Sequence, residues 1–138
     1  MHPRSINVPT VDERTVEAIV AALSGYDRLV EVGIGSQTAV ARALAAAGQE
    51  VLATDIHPRP TPEGVAFVRD DVTAPDLAIY EDAGAIYALN LPPELHRPTL
   101  DVARKVDADC YFTTLGGDEP AVEVCPRTVG RDTLYRAR

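Results

Sequence analysis

The chain has 138 residues, 46% of them apolar, and its 21 acidic against 13 basic side chains give a formal net charge of −8. That is enough for one domain spanning residues 1–138 to bury a core without disulfides or metal, and it leaves no room for a separate substrate domain. No apolar run is long enough to span a bilayer, so no membrane partner is expected. Residues 1–5 also lack the charged-then-apolar pattern of a secretion signal, and the expected location is the cytoplasm.

Taken in chain order, Thr10-Val11-Asp12-Glu13 has the form of a capping box. It opens a first helix on which Val16, Ile19, Val20 and Leu23 make one apolar stripe, with Gly25 ending the run and the helix covering the ligand side of a sheet. Residues 28–32 are apolar and β-branched, as a buried parallel strand requires, and Gly33 and Gly35 follow in a turn. Ser36 is placed to cap a helix over 38–47, which Gly48 stops. A second strand over 51–55 ends in Asp55, and Pro58, Pro60 and Pro62 then hold the chain extended in a stiff loop. A third strand over 65–72 ends in acids, one or two helical turns are expected over 76–82, and a fourth strand over 85–89. A helix over 99–106 and a fifth strand over 110–115 lead to the turn Gly116-Gly117-Asp118-Glu119-Pro120. Residues 122–124 and 133–135 can then pair as an antiparallel hairpin around 128–132. No repeat, low-complexity segment or linker interrupts this order. The expected fold is α/β, a Rossmann-like three-layer α/β/α sandwich. Its mostly parallel sheet runs 3-2-1-4-5, with a C-terminal antiparallel strand or hairpin beside strand 5.

Strand, Gly-x-Gly turn, helix, strand and acid are the layout of a site for an adenosine-containing ligand. Gly33 and Gly35 let backbone approach the ligand, and Asp55 stands where a carboxylate accepts both ribose hydroxyls. The dinucleotide fingerprint requires a third glycine at position 38, where this chain has Thr38.

Glu31, Gly33 and Gly35 instead resemble the first motif of the class I S-adenosylmethionine-dependent methyltransferases, with Gln37 where a third glycine is usual. The resemblance implies that Glu31 lies near the amino group of S-adenosylmethionine, that Asp55 binds its ribose, and that an acid after strand three, Asp71 chosen over Asp70, contacts the adenine amino group. Asn90-Leu91-Pro92-Pro93-Glu94 lies at the carboxyl end of a central strand, where open α/β sheets bind ligands. It is similar in part to the Asn-Pro-Pro-aromatic motif of amino-group methyltransferases, which assigns Asn90, Pro92 and Pro93 to the acceptor. Leu91 and Glu94 depart from that motif, and a Pro-rich loop entering a helix with Glu94 in its first turn accounts for the same residues. Over nearly its whole length the chain also resembles a small uncharacterised archaeal family of methyltransferase-like Rossmann proteins, with the Pro-Pro-Glu segment and the Leu-Gly-Gly-Asp-Glu turn among the shared parts. Full class I methyltransferases usually carry another helix before the terminal hairpin, and here it is missing.

Cys110 and Cys125 lack metal-ligand spacing and are expected to be small buried hydrophobes; no metal is assigned. Imidazole as a side chain suits a general base near neutral pH, but nothing in the sequence puts a carboxylate or acceptor beside His57 or His96, and both are expected at the surface. No side chain is given a catalytic role, because in-line positioning against an activated methyl group can supply much of the rate. Lys105 is the sole lysine, so arginine carries nearly all the positive charge of an acidic surface. That composition points to a high-salt, halophilic cytoplasm or to a GC-rich genome. No Lys/Arg run tracks phosphates, which argues against nonspecific nucleic-acid binding and leaves a structured RNA open. A homodimer is compatible with these features. Three readings follow: a minimal methyltransferase on an unidentified acceptor, a noncatalytic cofactor-binding or interaction module with the same fold, and, least favoured, an NAD-binding oxidoreductase.

Overall fold

A computed structural model describes residues 12–138. Thr10 lies outside the described residues, and the helix that follows, α1 (Glu13–Ala22), takes its N-cap from Asp12, whose carboxylate accepts from the Thr15 N–H at 3.0 Å. The cap thus falls two residues later than the capping-box expectation. α1 ends at Leu23, ahead of Gly25. Its expected stripe is real: Ile19 and Leu23 are buried and Val16 and Val20 pack against them.

Among the described residues seven strands form one sheet: β1 (Arg28–Val32), β2 (Glu50–Asp55), β3 (Val65–Arg69), β4 (Ala85–Ala88), β5 (Asp109–Phe112), β6 (Val124–Val129) and β7 (Asp132–Ala137). The spatial order is β3-β2-β1-β4-β5-β7-β6, parallel through β5 and antiparallel where β7 pairs with β5 and β6. The expected order and terminal hairpin are both present. Two-residue periodicity divides the core. Leu29, Ala85 and Tyr87 face α1 and α2 (Ala39–Ala46), whereas Val30, Val32, Ile86 and Ala88 face α3 (His96–Lys105). With helices on both sheet faces, the three layers are complete.

Several boundaries differ from expectation for local reasons. Ser36 does not cap α2; Thr38 is the N-cap residue, and it makes no side-chain capping bond. At the other end Gly48, at φ +96°, donates to the Ala45 carbonyl while Gln49 donates to that of Leu44, a Schellman closure that uses glycine's tolerance of the left-handed region. α3 starts at His96, three residues earlier than expected, because Pro98 falls in the first turn where an N–H has no intrahelical partner. Residues 76–82 yield a single 3-10 turn at Leu77–Ile79. The hairpin is longer than 122–124 and 133–135. Its two-residue turn places Gly130 at φ +64°, and Pro126 is tolerated because β6 is a sheet edge. No helix intervenes between β5 and β6 among the described residues, and none there is long and apolar enough to cross a membrane.

Candidate functional site

β1 is the strand at which connectivity reverses, with β2 on one side and β4 on the other. Crevices at such reversals, beyond the carboxyl ends of parallel strands, are where these sheets bind ligands. Gly33 and Asn90 follow such carboxyl ends, and Asp55 is the last residue of β2.

The turn after β1 is fixed by β2. Gly33 and Ile34 both donate to the Thr54 carbonyl, at 2.9 and 3.0 Å, and Gly35 donates to Asp55 Oδ2 at 2.8 Å. Gly33 sits at φ +69° and Gly35 at φ +55°, and a Cβ on Gly33 would meet nothing within 4 Å among the described residues. Backbone conformation, rather than crowding, therefore calls for glycine at Gly33, and it leaves the backbone open to a ligand.

Glu31 lies beneath this turn, with 1% of its surface exposed. Tyr87 donates its hydroxyl to Glu31 Oε1 at 2.7 Å, while Oε2 is buried with no hydrogen-bond partner among the described residues. Burial pushes the carboxyl up to about 8, against the smaller opposing effect of the Tyr87 bond. A buried carboxyl oxygen without a partner is costly unless protonated or met by a donor.

Asp55 is 7% exposed. Besides Gly35, it accepts from the His57 N–H at 3.0 Å through Oδ1, and Arg59 Nε lies 3.4 Å from Oδ2. Burial alone would raise its carboxyl, but the bonds from His57 and Gly35 and the Arg59 charge outweigh it and hold the group below the usual carboxylate range. Asp55 therefore ties the glycine turn to the Pro-rich loop. Its oxygens retain lone pairs for further donors. Ile56, 52% exposed directly after it, was not picked out from the sequence. The only signal there was an apolar residue between an acid and a polar loop.

Asp70 and Asp71 separate by environment. Asp70 is half-buried and accepts from the Tyr80 hydroxyl at 2.6 Å and the Asp76 N–H at 3.1 Å. Asp71 is exposed and accepts from the Thr73 N–H and hydroxyl, at 2.9 and 2.6 Å, which lower its carboxyl. Of the pair, Asp71 is the one facing solvent, and both are already engaged in turn hydrogen bonds.

On the other side of β1, Asn90 adopts φ +53°, its N–H donating to Thr113 Oγ1 at 2.8 Å while the Leu91 N–H donates to the Thr113 carbonyl at 2.9 Å. The end of β5 therefore fixes the segment after β4. Thr113 was not singled out from the sequence. The Asn90 side chain and Pro92 are exposed, Pro93 is half-buried, and Pro93–Leu95 form a 3-10 turn with Glu94 in it. His96 contradicts its expected surface position. It is fully buried, stacked on Phe112 at 4.2 Å, and accepts from the Ala121 N–H at Nδ1, so Nε2 carries the proton donated to the Leu91 carbonyl at 2.8 Å. Both nitrogens are used in holding loops. His57 is exposed. Cys110 is buried as expected, but Cys125 is exposed on β6. Among the described residues no group of three or more His, Cys, Asp or Glu could hold a metal ion.

The family model described as the uncharacterised protein family UPF0146 matches residues 14–136, and the chain belongs to that family. A UPF0146 protein of the archaeon Halobacterium salinarum is 53% identical over 121 residues, covering 87% of this chain and 94% of the relative. Among solved structures, an RNA methyltransferase from Salinibacter ruber in complex with S-adenosyl-L-homocysteine aligns with TM-score 0.65 and 18% identity, over 94% of this chain and 92% of that one. A TehB-like SAM-dependent methyltransferase from Corynebacterium glutamicum aligns with TM-score 0.64 and 16% identity, over 91% and 86%. At such identities the shared property is the fold, which is methyltransferase-like.

Proposed function

We propose that this protein binds S-adenosylmethionine across the carboxyl ends of β1, β2 and β3 and presents its methyl group to an acceptor held at Asn90, Pro92 and Pro93. The observation that carries the reading is the joint placement of Glu31 and Asp55 about one open glycine turn. Asp55 holds the turn through the Gly35 N–H, and Glu31 beneath it keeps a buried oxygen without a donor among the described residues. The residues fit the group. Glu31 supplies an acceptor for an ammonium, Asp55 has lone pairs for ribose hydroxyls, and exposed Ile56 offers apolar surface to a purine face. Asp71 is the solvent-facing acid for the exocyclic amine. The Salinibacter neighbour, which holds S-adenosyl-L-homocysteine on this fold, supports the choice of ligand.

When bound, the cofactor supplies an electrophilic methyl carbon on a sulfonium. The chain's part is to position. Thr113 fixes Asn90, whose exposed side-chain amide can orient an acceptor by hydrogen bonding. Positioning of this kind can carry a large share of a rate without a general base. Thr38 in place of the third dinucleotide glycine argues against NAD.

Calorimetric titration with S-adenosylmethionine, S-adenosyl-L-homocysteine and NAD tests this reading. Saturable binding of the first two and not of NAD is expected; binding of NAD alone would overturn it. A second reading, a module that binds the cofactor without turnover, is favoured by one observation. No helix stands between β5 and β6 to wall an acceptor pocket among the described residues. Radiolabelled methyl transfer to cell extract fractionated into small molecules, RNA and protein distinguishes the two.

A further inference from the structure

Beside the glycine turn, with which it shares Gly35, a cavity of about 290 Å³ opens between the start of α2 and the loop at 57–62. Arg42, Arg59, Ser36 and Thr38 line it, and it continues past Arg42 into a second cavity of about 390 Å³ toward Gly64. In a chain of net charge −8, two arginines line this one cavity. Arg42, like Arg97 and Arg127, makes no ion pair among the described residues, and what sets it apart from them is its place beside Arg59 on this cavity. Arg59 meets Asp55 through Nε at 3.4 Å, and a guanidinium has further N–H donors to spare. The Ser36 and Thr38 hydroxyls have no partner among the described residues. Two carboxylates stand nearby: Asp55, turned to Arg59 and the glycine turn, and Glu63 at the far end of the groove.

We propose that this groove is a phosphoryl-binding subsite. Arg42 and Arg59 clamp a phosphate monoester or terminal phosphate, with Ser36 and Thr38 as additional donors, so a ligand completing the site carries a phosphoryl group. Planar guanidinium groups with adjacent hydroxyls match tetrahedral oxyanion geometry, and charge-assisted bonds of this kind are the strong ones. The first-turn N–H groups of α2 add a favourable field. The assignment stands on the groove and not on the methyl-donor reading, so either can fail without the other.

The test is an amide NMR titration of the full chain with inorganic phosphate at constant ionic strength, made up with chloride. Saturable shifts centred on Ser36, Thr38 and Thr61 are expected. Arg42→Gln and Arg59→Gln should each weaken binding by about tenfold, while Arg127→Gln on β6 should leave it unchanged. Because Arg42 has no ion-pair or side-chain hydrogen-bond partner among the described residues, its variant is expected to fold normally and is the decisive one. Ribose 5-phosphate and a 5′-phosphorylated RNA hexamer, each compared with its dephosphorylated form, identify the source. Preference for the sugar phosphate points to a small molecule, and preference for the hexamer to a nucleic-acid end. Shifts that never saturate, shifts spread over the other arginines, or equal binding by wild type and Arg42→Gln would overturn the proposal.

Discussion

The backbone N–H of Gly35 points at the carboxylate of Asp55, 2.8 Å away, so the glycine turn after β1 is held by the acid that ends β2. One side chain therefore does two jobs, shaping the turn and offering acceptor oxygens beside it. Removing it should act on both.

Asp55→Ala is expected to destabilise the fold by about 1–2 kcal/mol, because the Gly35 and His57 N–H groups lose their acceptor, and to weaken S-adenosylmethionine by about 1–3 kcal/mol. Urea unfolding measures the first and calorimetry the second. Full wild-type affinity in the variant would remove Asp55 from the ribose contact. Because its carboxyl is held low, its stabilising share is present above the unfolded carboxylate range and is lost as pH falls through the lower folded value.

Glu31 has the opposite sign. Its carboxyl rises from 4.5 in the unfolded chain to about 8 on burial, so between those values the unfolded chain ionises while the native one stays protonated. Stability should fall as pH rises across that window, by up to about 1.4 kcal/mol per pH unit from this group, and level off above it. Glu31→Gln should flatten the profile and melt higher than wild type at pH 8. An ammonium ligand that draws Glu31 into its ionised form should release a proton on binding. Titration in two buffers of different ionisation enthalpy should show that release in wild type and not in the variant.

Asn90→Gly keeps the left-handed backbone at φ +53° while removing the side-chain amide. Turnover should drop with cofactor affinity nearly unchanged, whereas Asn90→Ala should also lose about 1 kcal/mol of stability from the strained backbone. Equal methyl incorporation by wild type and Asn90→Gly would take the amide out of acceptor binding.

Gly130 in the hairpin turn lies against α1. A Cβ there would come within 2.4 Å of Thr15 Oγ1 and 2.7 Å of its Cα, at a φ of +64°. Gly130→Ala should destabilise by about 2–4 kcal/mol, the combined scale of overpacking and left-handed strain, without changing ligand affinity in the folded protein. Denaturant midpoints check the first part. A loss under half a kcal/mol would mean that the hairpin does not depend on this contact.

The sheet order, the glycine turn and Asp55 at the end of β2 were legible in the sequence, because apolar alternation, β-branching and glycine punctuation are local signals that connectivity rules convert into a topology, whereas β3 stops at Arg69 and leaves Asp71 in the turn beyond it. The start of α3 and the N-cap of α2 were less legible, since proline tolerance in a first turn and competition among Ser36, Gln37 and Thr38 depend on neighbouring geometry. What only the tertiary structure decided were relations between distant residues. His96 is buried between Leu91 and Ala121, and Thr113 holds Asn90. Glu31 has a phenol on one oxygen and, among the described residues, no hydrogen-bond partner on the other, and Arg42 and Arg59 share one groove although seventeen positions apart. Composition records that these groups exist, but whether a polar atom is buried, paired or orphaned is set by what the fold packs around it.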